Sequence, residues 1–281
     1  MAHSDAIWRA SAGLALAWAS TGCTALASGG DTLEAVPGQL ESVGSGAMSP
    51  ASVDPKWGCL EGPEAPRAVA LRPTVSFSLR LYDPTTQATP PQSSVRACNR
   101  FDLDCAAPVD GPAEPAQDGL IHLSLPQGFA GFLEITSPAI VPALYFFNPP
   151  LEADRRDQFI VVSLDTARAL AGSGNVALDA ELGMIAVRTM DCAGELSGGV
   201  EFSNDKGGVP FAFVDGLPFI GYVVTNGDGI GGFVNVPPGL VALQGQEAGS
   251  ERVSGKASVL VRKGWFAYGD LNPAPSFNEY D

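Results

Sequence analysis

One ordered pattern of residues occurs twice in this chain, and it constrains the fold more than any other feature. The first copy reads Leu79-Arg80-Leu81-Tyr82-Asp83, then Val95-Arg96-Ala97-Cys98, Asp118-Gly119-Leu120 and Pro126-Gln127-Gly128-Phe129. The second reads Val187-Arg188-Thr189-Met190-Asp191, then Val200-Glu201-Phe202, Asp228-Gly229-Ile230 and Pro237-Pro238-Gly239-Leu240. Asp83 and Asp118 lie 35 positions apart, and Asp191 and Asp228 lie 37 apart. Short apolar runs and turn signals that recur in one order at similar spacing mark two like units in tandem. The 281 residues suffice for two domains of about 100–150 residues each.

The units read as β-rich. Residues 74–82 alternate apolar and polar, the period of a strand with one buried face, and Val75, Phe77, Leu79 and Leu81 are its core side. Residues 93–98, 120–125 and 132–136 follow as strands, with an apolar run at 141–147 and a proline-rich loop at 106–117. In the second unit strands are expected at 184–190, 199–203, 211–214, 220–225, 233–236, 241–243 and 259–262, with Asn226-Gly227 as a tight turn. With 33 glycines and 23 prolines, turns are frequent and long helices few. The one helix expected starts at an N-capping Ser163, carries Asp165 in its first turn and stops at Gly172. The expected fold is all-β: two tandem transthyretin-like or immunoglobulin-like β-sandwiches with a short helical connector. The expected boundaries are a signal peptide at 1–22, a tether at 23–66, sandwiches at 67–150 and 184–272, a connector at 151–183 and a tail at 273–281.

At Asp83-x-x-Thr86-x-x-x-Pro90, Val95, Asp118-Gly119-Leu120 and Leu125-Pro126-x-Gly128-Phe129-x-Gly131-Phe132, the chain resembles the carboxypeptidase regulatory-like module. The likeness spans roughly residues 74–145 and, more weakly, 184–262. It implies a transthyretin-like sandwich and carries over no catalytic residue, because that module is an accessory domain of peptidases.

The N-terminus reads as an export signal. Arg9 precedes a short apolar stretch, residues 10–19, which is below the roughly 20 residues needed to span a bilayer. Ser20-Thr21-Gly22-Cys23 resembles a bacterial lipobox, with Ser20 where that family usually has Leu. The resemblance implies cleavage before Cys23 and a diacylglycerol on its sulfur. The rival site, Ala25-Leu26-Ala27, would release a soluble chain beginning at Ser28. Apart from Cys23, four cysteines remain, and an oxidising compartment allows them two disulfides. The pairing expected is Cys98 with Cys105 and Cys59 with Cys192, with three connectivities open to sequence alone. The formal charge of −15 repels phosphate backbones and excludes nucleic acid as a partner. It also disfavours anionic membrane surfaces unless a covalent anchor holds the chain there.

Enzyme chemistry finds little to stand on. Beyond the leader the sole histidine is His122, expected on the solvent side of its strand, and there is no Gly-x-Ser-x-Gly elbow. Asp102 and Asp104, inside the Cys98–Cys105 loop, could hold Ca²⁺ or serve as a hydrolytic carboxylate pair, but read better as a solvated loop tip. Asn226-Gly227-Asp228-Gly229 lacks the later ligands of a calcium loop, and the glycines from 227 to 232 have no following lysine to hold phosphate. Lys206, Lys256 and Lys263 offer the second unit amines for a Lys–Asn cross-link, while the first unit has none. Trp265, Phe266 and Tyr268 could form a sugar-stacking platform, and core or edge packing is the better reading. No catalytic residue, metal or cofactor is expected.

The expectation is therefore a non-enzymatic, lipid-anchored cell-envelope protein, at the outer membrane or cell surface, acting in adhesion, scaffolding or binding. Its partners would be the membrane, through the anchor, and an envelope protein or polysaccharide. The alternatives are a carbohydrate- or peptide-binding accessory subunit of a separate hydrolase, or a carboxylate-based hydrolase. A soluble secreted or periplasmic chain is the alternative location.

Overall fold

Most strand pairs join strands that are not consecutive in sequence. The structure, a computed structural model, describes residues 55–61, 71–84, 86–215 and 217–273. All of them fall within a single compact unit, residues 51–281. The leader, Cys23 and most of the expected tether and tail lie outside the described residues.

After a 3₁₀ turn at Pro55–Glu61 come β1 (Thr74–Tyr82), β2 (Ser94–Cys98), β3 (Asp110–Ala113), β4 (Ile121–Pro126), β5 (Phe132–Thr136), β6 (Ala143–Phe146) and β7 (Arg155–Ile160). Helix α1 (Leu164–Ser173) leads to β8 (Gly183–Thr189), β9 (Val200–Asn204), β10 (Val209–Val214) and β11 (Leu217–Ile220). The chain closes with β12 (Ile230–Val236), β13 (Gly239–Glu247), β14 (Val253–Val261) and β15 (Phe266–Leu271).

The two halves repeat a topology. β1 is flanked by antiparallel β4 and parallel β7, and β8 by antiparallel β12 and parallel β15. β5 lies between β2 and β6, and β13 between β9 and β14, all antiparallel. Asp83 and Asp191 each follow the central strand, and Asp118 and Asp228 each precede its antiparallel neighbour, so the repeated motif marks equivalent places. The fold is the all-β, two-sandwich class expected. One feature lies beyond the sequence pattern: the sandwiches are joined edge to edge. Ala143–Tyr145 of β6 pair in parallel with Phe266–Tyr268 of β15, which merges one sheet from each half into a nine-stranded sheet, β11-β10-β12-β8-β15-β6-β5-β2-β3. The three-stranded sheets β4-β1-β7 and β14-β13-β9 complete the two sandwiches.

Alternation along the strands assigns the faces. Val75, Phe77, Leu79 and Leu81 of β1 pack with Val95, Leu133, Ile135 and Tyr145 on one face of the long sheet. Val241, Leu243, Val259 and Val261 pack with Ile185, Val187, Phe132 and Leu144 on the other. The outer sheets therefore cover opposite faces, at opposite ends. β6 and β15 are buried along their whole length because they are covered on both sides. In β12, a Cβ on Gly231 would strike the Phe202 ring at 2.5 Å, and one on Gly232 the Ile185 carbonyl at 2.0 Å. These glycines let aromatic rings lie directly on the strand, which gives the glycine-rich run a packing role.

α1 covers the end of the first face that β4-β1-β7 leaves bare, placing Ala167 beside Met184, Phe211 and Val234. Its start is the expected one. The Ser163 hydroxyl accepts from the Thr166 amide at 3.1 Å, so Ser163→Ala should cost about 1 kcal/mol, measurable as a lower urea midpoint. Residues 151–183, read from sequence as a connector, hold β7 as well as this helix.

Both outer edges of the long sheet contain proline, Pro112 in β3 and Pro218 in β11. Gly221 donates its amide to Pro210 O at 2.7 Å, so alternate positions 219 and 217 also bond toward β10. Positions 218 and 220 then face outward, and only Ile220 offers an amide N–H there.

Candidate functional site

Two clusters of charge lie on the nine-stranded sheet, one on each face. The first is where the sandwiches join. Asp270 of β15, 3% exposed, takes both arms of Arg188 from β8, with Nε–Oδ1 and Nη2–Oδ2 each at 2.7 Å. From β7 of the facing sheet, Arg155 grips Asp157 in the same two-pronged way at 2.9 and 2.7 Å. The Tyr145 hydroxyl of β6 sits between them, accepting from Arg155 Nη2 at 3.0 Å and Arg188 Nη2 at 3.1 Å. Burial, then the Asp270 charge, push the Tyr145 hydroxyl above its ordinary pKa. The Asp270 carboxylate holds Arg188 charged against the cost of its own burial. Two arginines balance two aspartates, and the tyrosine stays neutral. Such a set is saturated: it offers no free base and no activated nucleophile.

The second cluster lies on the other face, between β2 and β5. Glu134, 5% exposed, bonds Arg96 through Oε1 (Nε 2.8 Å, Nη2 2.5 Å) and Arg262 Nη1 through Oε2 (2.6 Å). Arg262, from the β14–β15 turn, also donates to Leu103 O at 2.5 Å and lies over the Trp265 ring at 4.9 Å. It clamps the 98–105 loop onto the sheet. Beside Arg96 the face is open, forming a groove of about 330 Å³ between Pro108 and Pro112, with Ser94 and Thr136 opposite one another on its floor.

The cysteines pair as expected. Cys98 is bonded to Cys105, with Cα atoms 5.2 Å apart, and Cys59 to Cys192, at 5.7 Å. Cys98, Cys105 and Glu134 are close enough to share an ion, but sulfurs in a disulfide are not thiolate ligands and Glu134 is taken by two arginines.

The other candidates resolve into structural roles. The two oxygens of Asp102 accept from the amides of Ala106 (3.0 Å) and Ala107 (2.8 Å), and these bonds hold its carboxyl below the usual range. Asp102 thus shapes its loop. His122 is exposed, with Nδ1 3.0 Å from Ser78 Oγ and Nε2 3.4 Å from Asp118 Oδ2. Asn226 Oδ1 accepts from the Asp228 amide at 3.0 Å, closing a turn. Lys263 pairs with Glu181 at the surface, and Lys206 lies in a turn held by Asn204. Phe266 and Tyr268 are core, and Trp265 is half-buried under Arg262. Among the described residues, the exposed large aromatics are Phe101, Phe219 and Tyr222.

Sequence reasoning passed over Glu134, Asp270, Arg188 and Tyr145. A signal existed: Glu134 and Asp270 each interrupt an apolar run, and a lone acid there needs a buried cation.

No family model matches this chain, and no curated protein matches it. Among solved structures, the Bacillus anthracis TIE protein overlaps 71% of the chain at 15% identity with a TM-score of 0.26, and the chain spans 34% of that protein. A streptococcal ancillary pilin overlaps 71% at 13% identity (TM-score 0.23), with 68% of the pilin covered. BcpA, the major pilin subunit of Bacillus cereus, overlaps 71% at 9% identity (TM-score 0.24), with 99% covered. At such scores the fold assignment rests on the sheets themselves.

Proposed function

We propose that this chain is an exported, lipid-anchored envelope protein without enzymatic activity, whose two joined sandwiches serve as a rigid scaffold or adhesive body. The observation that carries the reading is the pair of disulfides, a feature that suits an oxidising compartment and so supports export. The buried charges support the non-enzymatic part, since Glu134 and Asp270 are each engaged by arginine rather than poised for proton transfer. Among the described residues no helix is long and apolar enough to cross a membrane. On this reading the anchor is Cys23, at the end of the lipobox-like Ser20-Thr21-Gly22-Cys23, and its acyl chains each contribute about 0.8 kcal/mol per buried methylene. The proposed partners are the membrane, through that lipid, and another envelope protein or polysaccharide. The test is metabolic labelling with a fatty acid followed by fractionation. Wild type should carry label in the membrane fraction, and Cys23→Ala should lose label and leave it. A mature chain starting at Ser28 without lipid would overturn the anchor. The accessory-binding reading is favoured by one observation, the open groove beside Arg96.

A further inference from the structure

We propose that the groove beside Arg96 binds a carboxylate-bearing ligand of about monosaccharide size. The inference rests on the binding reading above but not on the anchor. Arg96 directs both Nε and Nη2 at a single oxygen of Glu134, which leaves Nη1 without a protein acceptor among the described residues. Its side chain is 36% exposed and lines the groove. Ser94 and Thr136 face one another across β2 and β5, on the same side as Arg96, and neither hydroxyl bonds another protein group among the described residues. One guanidinium donor and two hydroxyls thus converge on one space.

The nearby acids do not occupy that role. Glu134 is neutralised by Arg96 and Arg262 together. Asp102, which feels both arginines, has its oxygens turned to the Ala106 and Ala107 amides. The donors left over therefore look for an acceptor from outside, and a carboxylate suits a guanidinium arm flanked by hydroxyls better than a neutral group does. The site is also stiff. Pro108 and Pro112 wall it, the Cys98–Cys105 bond closes the adjoining loop, and Arg262 pins that loop to the sheet, so little ordering is left to the ligand.

The carboxylate could come from an acidic sugar or from a peptide. Calorimetric titration of the full-length chain with glucuronate, N-acetylglutamate and glucose separates them. A carboxylate site should bind at least one of the two acids tenfold or more tightly than glucose. Glucuronate as the tighter acid points to a polysaccharide, and N-acetylglutamate to a peptide. Because Arg96 also holds Glu134, the primary variant is Ser94→Ala with Thr136→Val, which leaves that ion pair intact. It should weaken acid binding about tenfold with an unchanged near-UV spectrum, and Arg96→Lys should weaken it further. Glucose binding as tightly as the acids, no binding of any probe, or undiminished affinity in the double variant would each overturn the proposal.

Discussion

Replacing Asp270 by alanine is expected to destabilise the folded part by up to about 3–5 kcal/mol, because it leaves the Arg188 side chain, only 22% exposed, without its partner. Domains of ordinary size are stable by only about 5–15 kcal/mol, so the variant should be largely unfolded under mild warming. The cost comes from the stranded charge and not from a large intrinsic strength of the pair. Arg188→Met combined with Asp270→Leu should therefore recover most of the loss. Urea denaturation of the three chains checks this. A single variant that loses less than about 1 kcal/mol would mean that Arg188 finds water or another acid, contrary to its position between β15 and Tyr145.

The second large effect concerns the disulfide between Cys59 and Cys192. It spans 133 positions, against 7 for Cys98–Cys105. In the chain-entropy view the long closure removes about 5 kcal/mol of unfolded-state freedom and the short one about 2.5 kcal/mol. Cys59→Ser with Cys192→Ser should accordingly lower stability roughly twice as much as Cys98→Ser with Cys105→Ser. Trp57, 1% exposed in the 3₁₀ turn beside Cys59, supplies a local readout. With Trp265 replaced by Phe, the fluorescence of Trp57 should shift to the red when the long bond is lost and stay put when the short one is. Equal losses from the two pairs would show that loop closure in the unfolded chain does not set their contributions.

The parts of this fold that could be read from the chain are those where one face meets solvent. β1 and β4 alternate cleanly, and their sequences declare them. β15 and β7 were harder for opposite reasons. Phe266–Leu271 is buried on both sides and shows no alternation, while Arg155–Ile160 begins with charges that turn out to serve the buried network. β3, a four-residue edge strand containing Pro112, reads as loop. Residues 220–225, expected as one strand, are divided between the end of β11 and a single bridge from Val224 to Glu201. The edge-to-edge union of β6 and β15 left no mark in the repeat, because it depends on which two edges lie free once each half has folded. The number of disulfides was legible by arithmetic, and their pairing only as one of three connectivities. The groove was not, since Ser94, Arg96 and Thr136 meet only through the register of β2 on β5.

The prolines at the two ends of the long sheet bear on how such a protein survives crowding. A sheet that has already absorbed a neighbour through β6 and β15 shows that its edges are competent to template pairing, and an open edge would extend the same reaction from molecule to molecule. With proline in both terminal strands, and one outward amide left on β11, growth has no regular row of donors to add to. Fusion within the chain is permitted while propagation between chains is poisoned at both fronts. Copies that meet along the long sheet therefore find no regular row of donors at either front from which to grow a fibre.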